Sequence, residues 1–441
     1  MLRCSRGVAF SNWAGNQRCQ PLCVHNLSSE DEIADVLRHA SHAKVPCKVV
    51  GAGHSFSDVA CTDGYMLRLD GLRRLIRVDR DAKLVTVQAG MRLRTLNAEL
   101  ARHGLALGNL GSVSEQTVGG AIATGTHGTG IRLGSLSTLV RNVRLVKADG
   151  SVLDLSRTDG DVFEAARLHL GCLGVVTQVT LRCEPAFSLR EKVFSVRFDD
   201  VLETIPSLVD RYDHVKLWWL PHTDEVQVIT MRRVPHERSW RGHDARVRVA
   251  GVLDTVVNRG VFAGLLRVGA WAPSAVPAIN RGVGRLFLRS RQRTDRSDRI
   301  LTLPMPPKHR EMEYGIPCEV ASLALRRLRD LVRGLRIAVD FVVEVRFVAH
   351  DTILLSNAYR RDSCQIGAYI GEHPHRAMYF DAFETLCRQL DGRPHWGKEF
   401  EARESDLRTR VPGLRRFLKV RKMLDPHKLF DNRFTRRVLG E

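Results

Sequence analysis

Two charged residues separated by one apolar residue, Glu344-Val345-Arg346, stand inside the apolar run Val342 to Val348. A strand over that run puts both charges on one face, where burial demands that each find a partner. A carboxylate beside a guanidinium can bind and polarise a substrate hydroxyl; it can equally be a core or interface ion pair, and these residues alone favour neither. A second constellation, Gly51-Ala52-Gly53-His54-Ser55, offers backbone N–H groups and a histidine in one short loop, which suits the close approach of a pyrophosphate or a flavin edge. It is not the Rossmann fingerprint, because Phe56 stands where the third glycine is needed. A tight turn with a solvent-facing histidine fits the same five residues.

The densest cluster runs from Gly108 to Gly130, where Gly108, Gly111, Gly119, Gly120, Gly125, Gly128 and Gly130 alternate with Ser112, Ser114, Thr117, Thr124, Thr126, His127 and Thr129. Ordering so many glycines is entropically costly, and a backbone that wraps a large polar ligand accounts for it better than a glycine-rich loop does. Gly392 to Lys398 matches a phosphate-loop spacing only formally: Glu399 replaces the magnesium-binding Ser or Thr, and Pro394 withholds an N–H. No H-E-x-x-H metal helix and no G-x-S-x-G nucleophile elbow occurs, so no metal site is expected and simple hydrolase readings lose support.

The elements that must hold these groups are mixed. Ser29-Glu30-Asp31-Glu32 reads as a capping box opening a helix with Ile33, Val36, Leu37 and Ala40 on its apolar face. Val45 to Val50 reads as a strand delivering the Gly51 loop. Leu67 to Leu69, Leu75 to Val78 and Leu84 to Val87 read as short strands, and Leu93 to His103 as a helix ending at Gly104. Val140 to Val146 and Ser151 to Leu155 flank Asp149-Gly150, a two-residue hairpin signal, followed by a helix near Val162 to His169 and a strand at Gly174 to Leu181. Beyond Pro185 come long alternating strands and a helix with Leu325, Leu328, Val332 and Leu335 on one face, which places a domain boundary near residue 186.

The totals set the class. At 441 residues, 44% hydrophobic and 27% charged, the chain is a globular protein of roughly two or three domains. Its net charge of +19 raises a polyanionic partner or a negative membrane surface. The basic residues crowd only at Arg232 to Arg248 and Arg285 to Arg299, without the interleaved aromatics of a base-stacking surface, so nucleic acid is not an expected partner. Ten cysteines without C-x-x-C pairs suggest reduced thiols in an intracellular protein. Arg259 and Arg267 interrupt the most apolar stretch, Val249 to Ala278, which rules out a span there and leaves interfacial attachment open. Arg3 and Arg6 precede no apolar core of signal-peptide length, though a very short targeting extension stays open, and Leu439-Gly440-Glu441 is no peroxisomal signal. A cytoplasmic or membrane-associated location is the expectation.

Taken together, Gly51 to Ser55, Val118-Gly119-Gly120, Thr124 to Gly130, Glu344-Val345-Arg346 and His395-Trp396-Gly397-Lys398 resemble, in order and spacing, the aldonolactone oxidase and alditol oxidase family of the vanillyl-alcohol-oxidase class. The likeness runs from Asn12-Trp13 to Arg437, with lesser markers at Ala60 to Gly64, Met312-Glu313-Tyr314 and Leu424-Asp425-Pro426. It implies an α+β, two-domain FAD-binding fold: an FAD domain at 12–186, a mixed α/β cap at 187–420 and a tail at 421–441 returning to the first domain. It implies that His54 is joined to the flavin 8α carbon. By resemblance, Val49, Val50, Gly51, Ala52, Gly53, His54, Ser55, Ser112, Thr117, Gly120, Thr124, Gly125, Thr126, His127, Val176 and His395 contact FAD, while Ser112, Glu344, Arg346 and Lys398 form the substrate site.

The implied reaction is oxidation of a sugar 1,4-lactone (gulono-, galactono- or arabinono-) at C2, the 2-keto product enolising to ascorbate or an analogue. Electrons would pass to oxygen, cytochrome c or another acceptor. Gly111, without a side chain beside the flavin face, favours oxygen. Alditol oxidases of the family carry a histidine at the position of Gly367, so this chain departs from the open-chain polyol pattern. An alditol oxidase is the rival enzyme; a basic nucleic-acid or membrane-surface binding protein on a degenerate flavin fold is the rival from another class.

Overall fold

The computed structural model describes residues 4–235, 260–287 and 290–440. Helix α1, Glu30–Ala43, is opened by Ser29, whose hydroxyl accepts from the Glu32 N–H at 3.1 Å. The return arm of the predicted box goes elsewhere: the Glu32 carboxylate accepts from the N–H of Ser28, one residue before the cap. Ile33, Val36, Leu37 and Ala40 are buried as expected, and each large aliphatic contributes roughly 1.5–3 kcal/mol. A first sheet consists of β1 (Cys4–Ser5), β2 (Cys23–Asn26), β3 (Cys47–Val50) and β4 (Tyr65–Arg68), ordered β1-β2-β4-β3, and His39 of the helix stacks on Tyr65 of β4. Strand β3 runs parallel to β4 and ends where the Gly51 loop begins.

The β1–β2 pairing overturns one expectation. It sets Cys4 and Cys23 with Cα atoms 5.7 Å apart, and they form a disulfide. Two cysteines 19 residues apart become neighbours only through cross-strand pairing, which no sequence spacing rule detects. The other eight thiols are free.

A second sheet, β5 (Leu75–Asp79), β6 (Leu84–Gln88), β7 (Val140–Val146), β8 (Val152–Ser156) and β9 (Val175–Arg182), has the order β8-β7-β9-β6-β5. The β7–β8 hairpin differs in detail from the predicted two-residue turn. Lys147 N–H donates to Ser151 and Gly150 N–H to Lys147, which encloses three residues with Gly150 at φ +80°. Only the glycine takes the left-handed conformation, so this is a type I turn closed by a glycine bulge. Helices α2 (Leu93–Arg102) and α3 (Val118–Ala123) lie between β6 and β7, and α3 is capped by Thr117, whose hydroxyl accepts from Gly120 N–H.

From Phe187 onward an eight-stranded antiparallel sheet forms. Its strands are β10 (Phe187–Arg197), β11 (His214–Trp219), β12 (Glu225–Pro235), β13 (Arg291–Arg296), β14 (Arg310–Pro317), β15 (Val343–Val348), β16 (Ser363–Ile370) and β17 (Arg393–Pro394). The order is β13-β10-β12-β11-β15-β16-β14-β17. Helix α4, Ala321–Gly334, buries Leu325, Leu328 and Val332. Leu335 falls past its last turn and is 52% exposed, so the apolar stripe stops one turn earlier than its spacing suggested.

Most of the first basic crowd and residues 249–259 of the apolar stretch lie outside the described residues. In the second crowd Arg293 pairs with Glu191 at 2.7 Å and Arg296 with Asp298 at 2.7 Å, which makes them local ion pairs. Among the described residues no helix is long and apolar enough to cross a membrane.

The C-terminal segment closes back on the first sheet. Cys47 N–H donates to Leu429 O, and the buried Lys48 ammonium donates to the carbonyls of Leu170, Gly171 and Phe430, each at 3.1 Å. Asn432 donates to the carbonyls of Asp58, Val59 and Cys61.

Candidate active site

The register of the large sheet explains how charged residues distant in sequence share one face. Trp218 lies opposite Glu344, Glu344 opposite Gly367, and Gly367 opposite Glu313; one step along, Lys216 lies opposite Arg346. Side chains two apart point the same way, so Lys216 and Trp218 on β11, Glu344 and Arg346 on β15, Gly367 and Tyr369 on β16, and Glu311 and Glu313 on β14 form one polar floor.

Glu344 is locked. Trp218 Nε1 and the Tyr369 hydroxyl each donate to it at 2.9 Å, Lys216 Nζ lies at 3.2 Å and Arg346 Nε at 3.4 Å. Burial opposes its charge, but Arg346 and Lys216 hold its carboxyl well below the usual range. Arg346 in turn donates to Glu313 at 2.8 Å, and His127 Nε2 lies 3.0 Å from the same Glu313 oxygen. Burial opposes the Glu313 charge too, yet Arg346 and His127 keep its carboxyl far down. Lys398 pairs with Glu311, whose carboxyl is also lowered by that ammonium against burial. Lys216 reaches the Ser112 hydroxyl at 3.3 Å, and His395 packs beside His127, its own ring pushed by burial down to about 3. Three carboxylates thus balance three cations in a largely buried region. Among the described residues Glu311 Oε1 and Glu313 Oε2 are buried with no hydrogen-bond partner.

Above the floor is a cavity of about 570 Å³. His54, Ser55, Gln116 and Thr124 line both it and a narrower one of about 100 Å³, which runs between the Gly51 loop, the N-terminus of α3 and the 169–171 loop. Backbone approaches closely there: a Cβ on Gly51 would sit 2.4 Å from Thr117 Oγ1, and one on Gly120 3.0 Å from the same atom. Among the described residues the N–H groups of Ala52, Gly53, His54 and Ser55 donate to no protein acceptor. Successive free N–H groups beside a helix N-terminus form an anion-binding concavity, which fits the pyrophosphate of a dinucleotide. His54 has no hydrogen bond to its ring nitrogens among the described residues, and burial lowers its pKa.

Of the residues singled out from sequence, Val49 to Ser55, Thr117, Gly120, Thr124 and Val176 line the narrow cavity; Ser112, Thr126, His127, Glu344, Arg346, His395 and Lys398 line the large one. Gly125 lines neither; at φ +76° it turns the chain out of α3 against Leu168. Gly111 faces the large cavity, but a Cβ there would meet Thr126 at 2.8 Å and the His127 carbonyl at 3.2 Å, so close backbone packing accounts for this glycine. It therefore does not argue for oxygen. Sequence reading missed Lys216, Trp218, Glu311 and Tyr369 and took Glu313 only as a marker. The alternation that exposed Glu344 and Arg346 is also present in Lys216-Leu217-Trp218 and Glu311-Met312-Glu313.

Comparison with known proteins bears on this geometry. The family model described as D-arabinono-1,4-lactone oxidase matches residues 179–438. The chain is 39% identical over 439 residues to an L-gulono-1,4-lactone dehydrogenase of Mycobacterium tuberculosis, covering 98% of this chain and 99% of that one. It belongs to the D-arabinono-1,4-lactone oxidase family. A mouse L-gulonolactone oxidase is 36% identical, covering 98% of each chain. An FAD-binding domain model matches residues 21–156, which include the Gly51 loop and α3. A solvent-stable cholesterol oxidase shares the fold with a TM-score of 0.79 at 16% identity, covering 100% of this chain and 98% of that one. The architecture is thus the α+β vanillyl-alcohol-oxidase type, and this member of the aldonolactone oxidase family is an FAD-dependent oxidoreductase acting on a CH–OH donor.

Proposed function

We propose that the protein oxidises the C2 hydroxyl of an aldono-1,4-lactone to a 2-keto lactone, at the face where the two cavities meet. The observation that carries this reading is that Glu344, Arg346 and Lys398 line a cavity that shares His54 with the dinucleotide cradle. Bound there, FAD supplies the acceptor for a hydride from the substrate carbon. Val49 to Ser55, Thr117 and Gly120 hold the dinucleotide, and His54 carries it covalently. Arg346 and Lys398 stabilise negative charge developing on the substrate oxygen. Glu344, with both oxygens occupied, holds Lys216 and Arg346 in place. Ser112, bonded to Lys216, positions the lactone ring. Residues 12–186 form the FAD domain, 187–420 the cap and 421–441 the returning tail. The acceptor of the electrons is oxygen, cytochrome c or another oxidant.

The lactone is favoured over an open-chain polyol by the pairing of Gly367 with Tyr369. A Cβ at 367 would lie 2.8 Å from the Tyr369 ring, so the space beside Glu344 is filled by a tyrosine and is closed to an extended chain. A panel of gulono-, galactono- and arabinono-lactones against xylitol and sorbitol tests this, with lactones expected to reduce the flavin and polyols not. Preferential reduction by a polyol would overturn it. Acid precipitation tests the tether separately: yellow colour that stays with the pellet supports it, and flavin released to the supernatant refutes it.

A further inference from the structure

Alcohol oxidation needs a group to take the hydroxyl proton, and the polar floor holds three carboxylates that face the cavity. Glu344 is the one that its sequence setting draws attention to, yet both of its oxygens are occupied: Trp218 and Tyr369 donate at 2.9 Å, and Lys216 and Arg346 lie at 3.2 and 3.4 Å. Each Glu344 oxygen therefore already accepts one hydrogen bond and has a cation beside it, which makes it less available than a carboxylate with an unpartnered oxygen. Glu313 is held at one oxygen by Arg346 and His127, and its other oxygen, Oε2, is likewise buried without a partner among the described residues, close to His127 and His395.

Glu311 differs in the company it keeps. One oxygen is held by Lys398, so the carboxylate and the cation suited to a developing oxyanion stand side by side. The other oxygen, Oε1, is buried, has no partner among the described residues and belongs to a side chain lining the cavity. Gly367 faces the same oxygen: a Cβ there would lie 3.6 Å from Oε1 and 2.8 Å from the Tyr369 ring. Glu311 Oε2 also lies 3.8 Å from His309 Nε2, whose other nitrogen, Nδ1, faces the Pro307 carbonyl at 2.9 Å.

We infer that Glu311 Oε1 binds the C2 hydroxyl and takes its proton. The C2–H bond breaks with its electron pair, which passes as hydride to the flavin. The O–H bond breaks with its proton going to Glu311, and the C2–O single bond becomes a carbonyl. The lowered proton affinity of this carboxyl is no obstacle, because the hydroxyl of an alcohol losing hydride becomes far more acidic than a carboxylic acid. This assignment rests on the lactone reading above.

The test uses flavin-loaded protein under anaerobic conditions, with an aldono-1,4-lactone as reductant and its 2-deoxy analogue, which cannot be oxidised at C2, as a competing ligand. Glu311→Gln should retain flavin and its spectrum while slowing flavin reduction by roughly a hundredfold. Wild-type protein should bind the lactone roughly tenfold more tightly than the 2-deoxy lactone, and that preference should nearly vanish in Glu311→Gln. Formate should restore rate to Glu311→Ala and not to Glu344→Ala. Reduction by Glu311→Gln at close to the wild-type rate, or a preference lost in Glu313→Gln or Glu344→Gln in place of Glu311→Gln, overturns the assignment. Should Gln and Ala fail to hold flavin, Glu311→Asp decides: a roughly tenfold slower rate with the preference kept supports it, and an unchanged rate refutes it. A flavin reduced by an open-chain alcohol and by no lactone removes only the lactone reading; one that no secondary alcohol reduces removes both.

Discussion

Replacing Arg346 by methionine keeps the stem's length and apolar bulk and removes the guanidinium that joins the two carboxylates of the floor. Glu313 then loses its 2.8 Å donor and Glu344 its 3.4 Å neighbour, with their side chains only 1% and 5% exposed. Removing one partner of a buried ionic network costs about 3–5 kcal/mol, because the stranded charge is not resolvated. Here Glu344 keeps Trp218, Tyr369 and Lys216, and Glu313 keeps His127, so about 3 kcal/mol is expected. Urea unfolding of the flavin-loaded protein measures this as a lowered midpoint at unchanged slope. The chemical step loses a preorganised donor and should slow by about 10² to 10³. Arg346→Lys restores charge without the fork and should recover most of the stability and little of the rate. An Arg346→Met protein as stable as wild type would refute the claim that both carboxylates are held as anions by this residue.

Three further outcomes follow from the same geometry. Gly51→Ala drives a Cβ against Thr117 Oγ1, which caps α3, and should leave most of the purified protein without flavin by absorbance, at little cost in secondary structure by circular dichroism. Burial holds His395 at about 3 and His169 and His214 at about 4, so they are neutral in the fold and take up protons on unfolding below their ordinary value near 6.5. Stability should therefore be flat with respect to them above pH 6.5 and fall as pH drops toward 4, each contributing about 1.4 kcal/mol per pH unit; urea midpoints at pH 7.5 and 5 check this. Tyr369→Phe removes one donor to Glu344 and should slow flavin reduction by lactone roughly tenfold with flavin binding intact, as stopped-flow absorbance would show.

Local signals proved readable where they depend on neighbours in sequence. The Ser29 cap, the Ile33-Val36-Leu37-Ala40 stripe and the strand running into Gly51 all appear, since each is set by spacing within a turn or two. Glu344 and Arg346 were visible because charge inside an apolar run is conspicuous. Their partners were not, because Lys216, Trp218, Glu311 and Tyr369 come together only through the order β11-β15-β16-β14, which depends on long-range pairing. The Cys4–Cys23 disulfide was hidden for the same reason. The Asp149-Gly150 signal located a hairpin and misjudged its loop, since a glycine bulge and a two-residue turn use the same dipeptide.

The most direct test of FAD-dependent lactone oxidation is the visible spectrum of the purified, flavin-loaded protein as an aldono-1,4-lactone is added without oxygen. Loss of the flavin absorption, with one lactone consumed and one 2-keto lactone formed per flavin, is the predicted result. A spectrum that no sugar lactone changes, in protein whose flavin dithionite readily bleaches, would contradict it.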